Sequence, residues 1–442
     1  MVPLIPPHSP HPRILMSDSQ DSIQPGGPSG ALSSLQARVF FLTWLSYASY
    51  YLTRKNYSVV KTTLQNDFGL TKMDLGNVDS LYLTAYALGQ FICGALGDRY
   101  GAKKMLVFGM FATATASLVF GLGSAFLIFL FAFGINGLFQ SSGWPNNVKA
   151  MSRWFSIRVR GFVMGFWTTN YQVGGLVATA LATFLLANHG WRTAFFVPAV
   201  WVAFVGALLL FLLVEKPQDK GLEIPGPETK PVNAADQVKA SKPPFLEMIS
   251  QPIVLGLGTA YLGLKLIRYS LLFWLPYYNN KALGYNVEEA GYLSMMFEVG
   301  GIAGAITTGW VSDRFFPGKR AKLAAPMMFM LAGALFLFQR VGSTGEIPYA
   351  ISMALVGFFL FGPDTLVAGA AAQDAGGDKA SGSAAGIING IGSVGGALSG
   401  VITAYVTERW DWERLFYVFV AVAIVAGTAL LMFSVFTRKS EE

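Results

Sequence analysis

Two arginines carry the chemistry of this sequence. Val39 to Ser49, an apolar and aromatic run with only small polar residues, leads up to Arg54, and Leu271-Leu272-Phe273-Trp274-Leu275 continues past Arg268. A cation at that depth in a bilayer costs at least about 2.5–3.5 kcal/mol, so it must face an interior and find a partner. A guanidinium offers a planar fork of donors that matches phosphate oxygens in pairs. The two arginines stand 214 residues apart. If the chain is built of two halves, they face each other across its centre and hold an anion. The competing reading is that each snorkels to an interface or balances a buried acid such as Asp79, Glu298 or Asp364.

Other polar residues gather around the pair. Tyr51 and Lys55 flank Arg54, Tyr269 follows Arg268, and Lys265 lies one helical turn before it. Lys149 is a further cation within an apolar run. Asp79, Glu298 and Asp364 are expected to pair with Lys149, Lys265 or the arginines, so that no buried cation is left uncompensated. Their alternative role is proton coupling through a raised carboxylate pKa. Asn170 and Asn389 are expected to line the same cavity. His8, His11 and His189 all lie outside the apolar spans, and Cys93 is the single cysteine. No metal site, histidine relay or disulfide framework is therefore expected. No phosphate-binding loop of the Gly-x-x-x-x-Gly-Lys-Ser/Thr type occurs, so neither ATP nor another cofactor is implied, and no enzyme activity is expected.

The elements that position these residues are membrane helices. At 53% hydrophobic and 13% charged, the 442 residues are too apolar for an ordinary soluble domain. Twelve spans are predicted, at about 38–60, 78–98, 104–122, 125–150, 160–187, 193–215, 252–276, 288–312, 321–341, 347–372, 380–405 and 414–437. Residues 1–37 read as a disordered tail, 216–250 as a proline-rich charged linker, and 438–442 as a short tail. The net charge of +7 resides in loops, which argues for membrane topology over nucleic-acid binding. With both termini cytoplasmic, twenty Lys and Arg fall on the inner side and seven, Lys61 among them, on the outer side. That asymmetry places both termini and the linker inside.

The two halves repeat. Gly94-Ala-Leu-Gly-Asp98-Arg99 is matched by Gly309-Trp-Val-Ser-Asp313-Arg314, each with basic residues following. Val173-Gly174-Gly175 is matched by Val394-Gly395-Gly396, and Trp191 with Phe195-Phe196-Val197 by Trp412 with Phe416-Tyr417-Val418. Landmarks in one order at nearly constant offset indicate duplication. Parallel six-helix bundles with a site between them are a secondary-transporter architecture. The glycine-rich faces are expected to pack helices rather than cradle phosphate.

The paired Gly-x-x-x-Asp-Arg loops resemble the signature of the major facilitator superfamily, and Asp98, Arg99, Asp313 and Arg314 are then expected to form a conformational latch. Tyr-Tyr-Leu-x-Arg-Lys-Asn at 50–56, Gly143-Trp144-Pro145, Leu266-Ile267-Arg268-Tyr269 and Phe361-Gly362-Pro363 resemble the organophosphate:phosphate antiporter family. The similarity runs over about residues 37–437. The sequences at 86–90, 160–165 and 297–301 are most similar to its sugar-phosphate exchanger branch. The resemblance implies an all-α, twelve-helix carrier that exchanges a phosphorylated sugar or polyol for inorganic phosphate, with Arg54 and Arg268 as phosphate ligands. Glycerol-3-phosphate antiporters use a second-span lysine and a fifth-span histidine where this chain has Gln90 and Tyr171. Both residues can hydrogen-bond a substrate without adding charge. The expected partners are a small organophosphate, phosphate and the lipid of the cell (inner) membrane, for a carrier working as a monomer. The rival functions are proton-coupled symport of an organic anion and membrane sensing of sugar phosphate; the short cytoplasmic segments argue against a sensor.

Overall fold

The computed structural model describes residues 30–156, 163–222, 251–316, 321–367 and 371–439. The expected tail up to residue 29, the linker over 223–250 and the loop cations Arg158, Arg160, Lys319 and Arg320 lie outside these. All regular structure among the described residues is helical. In chain order the helices are α1 Gly30–Leu52, α2 Asn56–Phe68, α3 Lys72–Tyr100, α4 Ala102–Leu122, α5 Phe126–Gln140, α6 Gly143–Trp154, α7 Thr169–His189 and α8 Thr193–Leu212. After a short 3-10 turn at Pro217–Lys220 come α9 Pro252–Lys281, α10 Val287–Phe315, α11 Ala321–Val341, α12 Glu346–Thr365, α13 Ala371–Arg409 and α14 Trp412–Lys439. Nine helical segments among the described residues are long and apolar enough to cross a membrane. Several of the remaining helices carry the buried charges described below.

Two of the expected spans are broken. The run predicted over 38–60 is α1 and α2, separated by the turn Thr53–Lys55. The run predicted over 125–150 is α5 and α6, separated at Ser141–Ser142. The first span also starts earlier than expected. Residues 30–37 are helical, because Leu32 is buried and the Gln36 amide donates to the Trp154 carbonyl at 2.8 Å. No proline lies between Pro28 and the end of α1, so nothing stops the helix from extending back to that anchor. Lys61, counted above as a loop cation, lies inside α2 and is fully buried.

The repeat seen in the sequence recurs in the packing. Gly174 of α7 lies against the backbone of Ala48, where a Cβ would come within 2.7 Å of the Ala48 oxygen. Gly395 of α13 lies against the backbone of Leu262, where a Cβ would come within 2.0 Å of the Leu262 oxygen. Ala48 and Leu262 each stand six residues before the arginine of their half. The same close approach thus sets the depth of both arginines. Between the halves, α3 packs on α13 and α7 on α10, again a matched pair.

One apolar cluster fills the first half, around Met110, Trp154 and Val202, and another fills the second half, around Leu264, Met328 and Phe416. A third joins both halves at the end away from the chain termini, where Tyr57, Phe129 and Trp191 meet Phe273, Trp274 and Tyr277. Hydrogen bonds tie the halves together at this distal end. Lys72 Nζ donates to the Thr407 carbonyl at 2.8 Å, Tyr277 Oη to Gln65 at 2.6 Å and Lys281 Nζ to Asn66 at 2.8 Å. Gly76 and Gly400 approach so closely that a Cβ on either would meet the other's carbonyl oxygen at 2.5 Å or less. The distal end is sealed.

Candidate anion-binding site

Arg54 stands in the break between α1 and α2, and the break is built to hold it. The Arg54 and Lys55 amides both reach the Tyr51 carbonyl, at 3.1 and 2.9 Å. Opening the helix frees polar backbone groups, which must be satisfied away from water. Asn136 of α5 donates its side-chain amide to the Thr53 carbonyl at 3.0 Å. One turn later, Gln140 donates to the Thr53 hydroxyl at 3.0 Å and to Asn136 Oδ1 at 2.7 Å. Its own Oε1 accepts from Arg54 Nε at 3.1 Å and from the Tyr82 hydroxyl at 2.8 Å. Both ends of the Gln140 amide are therefore used, and its Arg54 contact is neutral. The guanidinium lies 4.6 Å from the Tyr51 ring centre and 4.8 Å from that of Tyr86, so cation–π attraction offsets part of its lost hydration. Arg54 Nη2 is buried without a hydrogen-bond partner.

Arg268 sits in the middle of unbroken α9 and has a different environment. Its Nη1 donates to Asp364 Oδ2 at 2.7 Å, and both groups are largely buried. Asp364 directly follows Pro363 inside α12. The rings of Phe361, Tyr269 and Tyr171 surround the guanidinium at 4.7, 5.8 and 5.9 Å. Arg268 Nε, like Arg54 Nη2, is buried without a partner. Tyr51 lies within electrostatic reach of both arginines. Tyr51, Tyr171, Gln172, Arg268, Leu272, Glu298 and Phe361 line a cleft with about 10 Å³ of space, roughly one water molecule.

Lys55 contacts two residues of the cleft wall. Its ammonium lies 3.2 Å from Glu298 Oε1 and donates to the Leu272 carbonyl at 3.2 Å, joining the first half to α9 and α10. Gly175 makes room for the carboxylate, since a Cβ there would stand 2.6 Å from Glu298 Oε1. Lys265 is turned toward α13, with Asn389 Oδ1 at 3.4 Å and Ser393 Oγ at 3.3 Å.

Other expected site residues lie elsewhere or are only partly placed. Lys149 donates to the Gly97 carbonyl at 2.8 Å and pairs with Asp98 at the far end of α3, so it belongs to the signature loop and not to the arginine cluster. Gln90 is half-buried one turn beyond Tyr86 and makes no hydrogen bond to either guanidinium. Asp79 pairs with none of the cations anticipated for it. Its partner is Lys61, fully buried like Asp79 itself, with Trp274 of the other half capping the ammonium at 3.9 Å. Asn170 donates to the Trp167 carbonyl at 2.5 Å. In the expected latch, Arg99 and Arg314 are exposed, and the side chain of Asp313 lies outside the described residues.

The residues sequence reasoning passed over are Gln140, Asn136, Tyr82 and Lys61. The signal for the first two was present: an Asn and a Gln four residues apart in the apolar run 126–140 are polar groups a membrane helix keeps only for a purpose.

Comparison with known proteins identifies the family. The sequence pattern of the Major Facilitator Superfamily matches residues 43–400. A putative glycerol-3-phosphate transporter of Arabidopsis thaliana is 31% identical, over 90% of this chain and 87% of its own. A glucose-6-phosphate exchanger of Mus musculus is 30% identical, over 88% of this chain and 90% of its own. Among solved structures, a bacterial homologue of the human lysosomal transporter Spinster shares the fold, with a TM-score of 0.69 at 14% identity over 91% of this chain and 94% of that one. The chain belongs to the major facilitator superfamily, within the organophosphate:phosphate antiporter branch, and is a membrane transporter rather than an enzyme.

Proposed function

We propose that this transporter exchanges a phosphorylated sugar or polyol for inorganic phosphate by alternating access, with Arg54 and Arg268 binding the phosphate group. The observation that carries the reading is the arginine pair itself. Arg268 lines the central cleft, Arg54 lies against Tyr51 at its wall, and each keeps a buried donor without a partner. A bound phosphate supplies acceptors for both at once. Without an anion the site holds uncompensated cations, so reorientation is costly and exchange is coupled to loading. The three in-membrane acids each sit on a cation, which favours charge compensation over proton carriage as their role. The carrier works as a monomer in the cell membrane with both termini cytoplasmic, an orientation supported by the loop charges.

Arg54→Lys and Arg268→Lys keep the charge but lose the fork. Each is expected to weaken phosphate binding by about ten- to a hundredfold, the equivalent of one charge-assisted hydrogen bond. Both are expected to impair inorganic phosphate and sugar phosphate together. Calorimetry on the purified, folded variants is the measurement; wild-type affinity in either one makes that arginine structural and ends the proposal.

A further inference from the structure

The buried charges around the cleft do not cancel. Among the described residues, the buried cations Arg54, Lys55, Lys265 and Arg268 are accompanied by two buried carboxylates outside the Lys61–Asp79 pair, Glu298 and Asp364. Glu298 is taken by Lys55 at 3.2 Å and Asp364 by Arg268 at 2.7 Å. Among the described residues, no carboxylate lies within ion-pair distance of Arg54 or Lys265. Arg54 has the neutral Gln140 and aromatic rings. Lys265 has the Asn389 and Ser393 oxygens at 3.4 and 3.3 Å, both longer than a well-formed N–H···O bond, and the Tyr261 ring at 4.7 Å. The two cations left without a carboxylate at ion-pair distance are therefore not the symmetry-related arginines, although Asp364 also attracts Lys265 from farther away. They are Arg54 of the first half and Lys265 of the second, one helical turn from Arg268.

Resting on the exchange reading above, we infer that Lys265 is a phosphate-binding residue that supplies the second uncompensated charge, matching the site to the dianionic form of a phosphoryl group. On this account the arginines are unequal. Arg54 contributes charge and direction. Arg268, already neutralised by Asp364, contributes direction through its unpartnered Nε. Lys265 contributes charge, as a compact ammonium whose flexible stem can leave its two long contacts. A dianion brings the buried cluster to neutrality, whereas a monoanion leaves one cation uncompensated at the depth where that is most costly. The substrate class selected is the phosphomonoester and inorganic phosphate above its second ionisation, in preference to phosphodiesters, which carry a single charge.

The test uses full-length purified protein, with inorganic phosphate as the probe in calorimetry at about pH 8, where the dianion is its main form. Lys265→Met is expected to weaken binding by about ten- to a hundredfold, the effect of losing a bond to a charged group. Lys265→Arg is expected to retain most of the affinity. The deciding variant is the double substitution Lys265→Met with Asp364→Asn. It restores the two uncompensated charges by releasing Arg268, and so is expected to recover most of the lost affinity. A role limited to holding α9 against α13 predicts no such recovery. Binding at wild-type strength in Lys265→Met, or no recovery in the double variant, overturns this inference while leaving the exchange reading intact. If folded wild-type protein does not bind phosphate, the exchange reading fails and this inference with it. Should Lys265→Met alone not fold, the double variant is read by itself against wild type, with near-wild-type affinity supporting the inference and lost affinity overturning it.

Discussion

At the scale of single residues, Gln140 shows how a neutral side chain sets the properties of a charged one. Its amide ties the Thr53 hydroxyl, Asn136 and Tyr82 to Arg54, and it leaves the arginine without a counter-ion. Two substitutions separate these roles. Gln140→Leu leaves several buried polar groups unsatisfied, each at a cost of about 1–3 kcal/mol, so lower thermal stability and weaker phosphate binding are expected together. Gln140→Glu keeps an acceptor for Arg54 but also neutralises it, so phosphate binding is expected to be lost from a protein that still folds. Thermal unfolding and calorimetry on the same preparations distinguish the two; strong phosphate binding by the Glu variant rules out this view of Arg54. The arginines were legible because a charge in an apolar run stands out. Asp364 was legible as an acid that could balance an arginine, and it pairs with Arg268; Gln140 was not, since a neutral acceptor carries no mark of which donor it will meet.

At the scale of elements, the order and approximate positions of the apolar runs followed from hydropathy, while the breaks that divide two of them did not. Thr53-Arg54-Lys55 contains neither Gly nor Pro, so local propensity gives no reason to stop a helix there. The break is a tertiary effect, sustained by Asn136 and Gln140 on a neighbouring helix. The glycine pairs were read correctly as packing surfaces, because a small residue matters where backbones meet. Loop orientation can be tested directly. In a variant lacking Cys93, a cysteine at Gly345, in the turn before α12, is expected to react with an impermeant thiol reagent applied outside intact cells. A cysteine at Ser241 in the linker is expected to be protected. Labelling of position 241 from outside reverses the assignment.

At the scale of the whole molecule, the distal seal reinforces the contacts between the halves, and the Lys61–Asp79 pair lies beneath it. Both groups are fully buried, and Trp274 of the second half covers the ammonium. Separation of the halves at this end lifts that cover and lets water reach the pair. Removing one partner leaves an uncompensated buried charge, and Lys61→Met alone is expected to destabilise the sealed state by about 3–5 kcal/mol. Replacing both, as Lys61→Met with Asp79→Leu, removes the dehydration penalty and is expected to hold the distal end shut. Spin labels on the distal ends of α2 and α9 report the outcome as a loss of the longer inter-half distances. An unchanged distance distribution in the double variant means the pair has no influence on opening.

The same ion pair gives the carrier a thermal dependence of its own. Hydration of charged groups carries a strongly negative entropy, so stripping water from Lys61 and Asp79 becomes less costly as temperature rises. Warming therefore favours the closed seal relative to a carrier with an apolar pair in the same place. Comparing inter-half distances in the cold and at growth temperature, in wild type and in the Lys61→Met/Asp79→Leu variant, isolates this contribution. The wild-type population of sealed molecules is expected to rise more steeply with temperature than that of the variant.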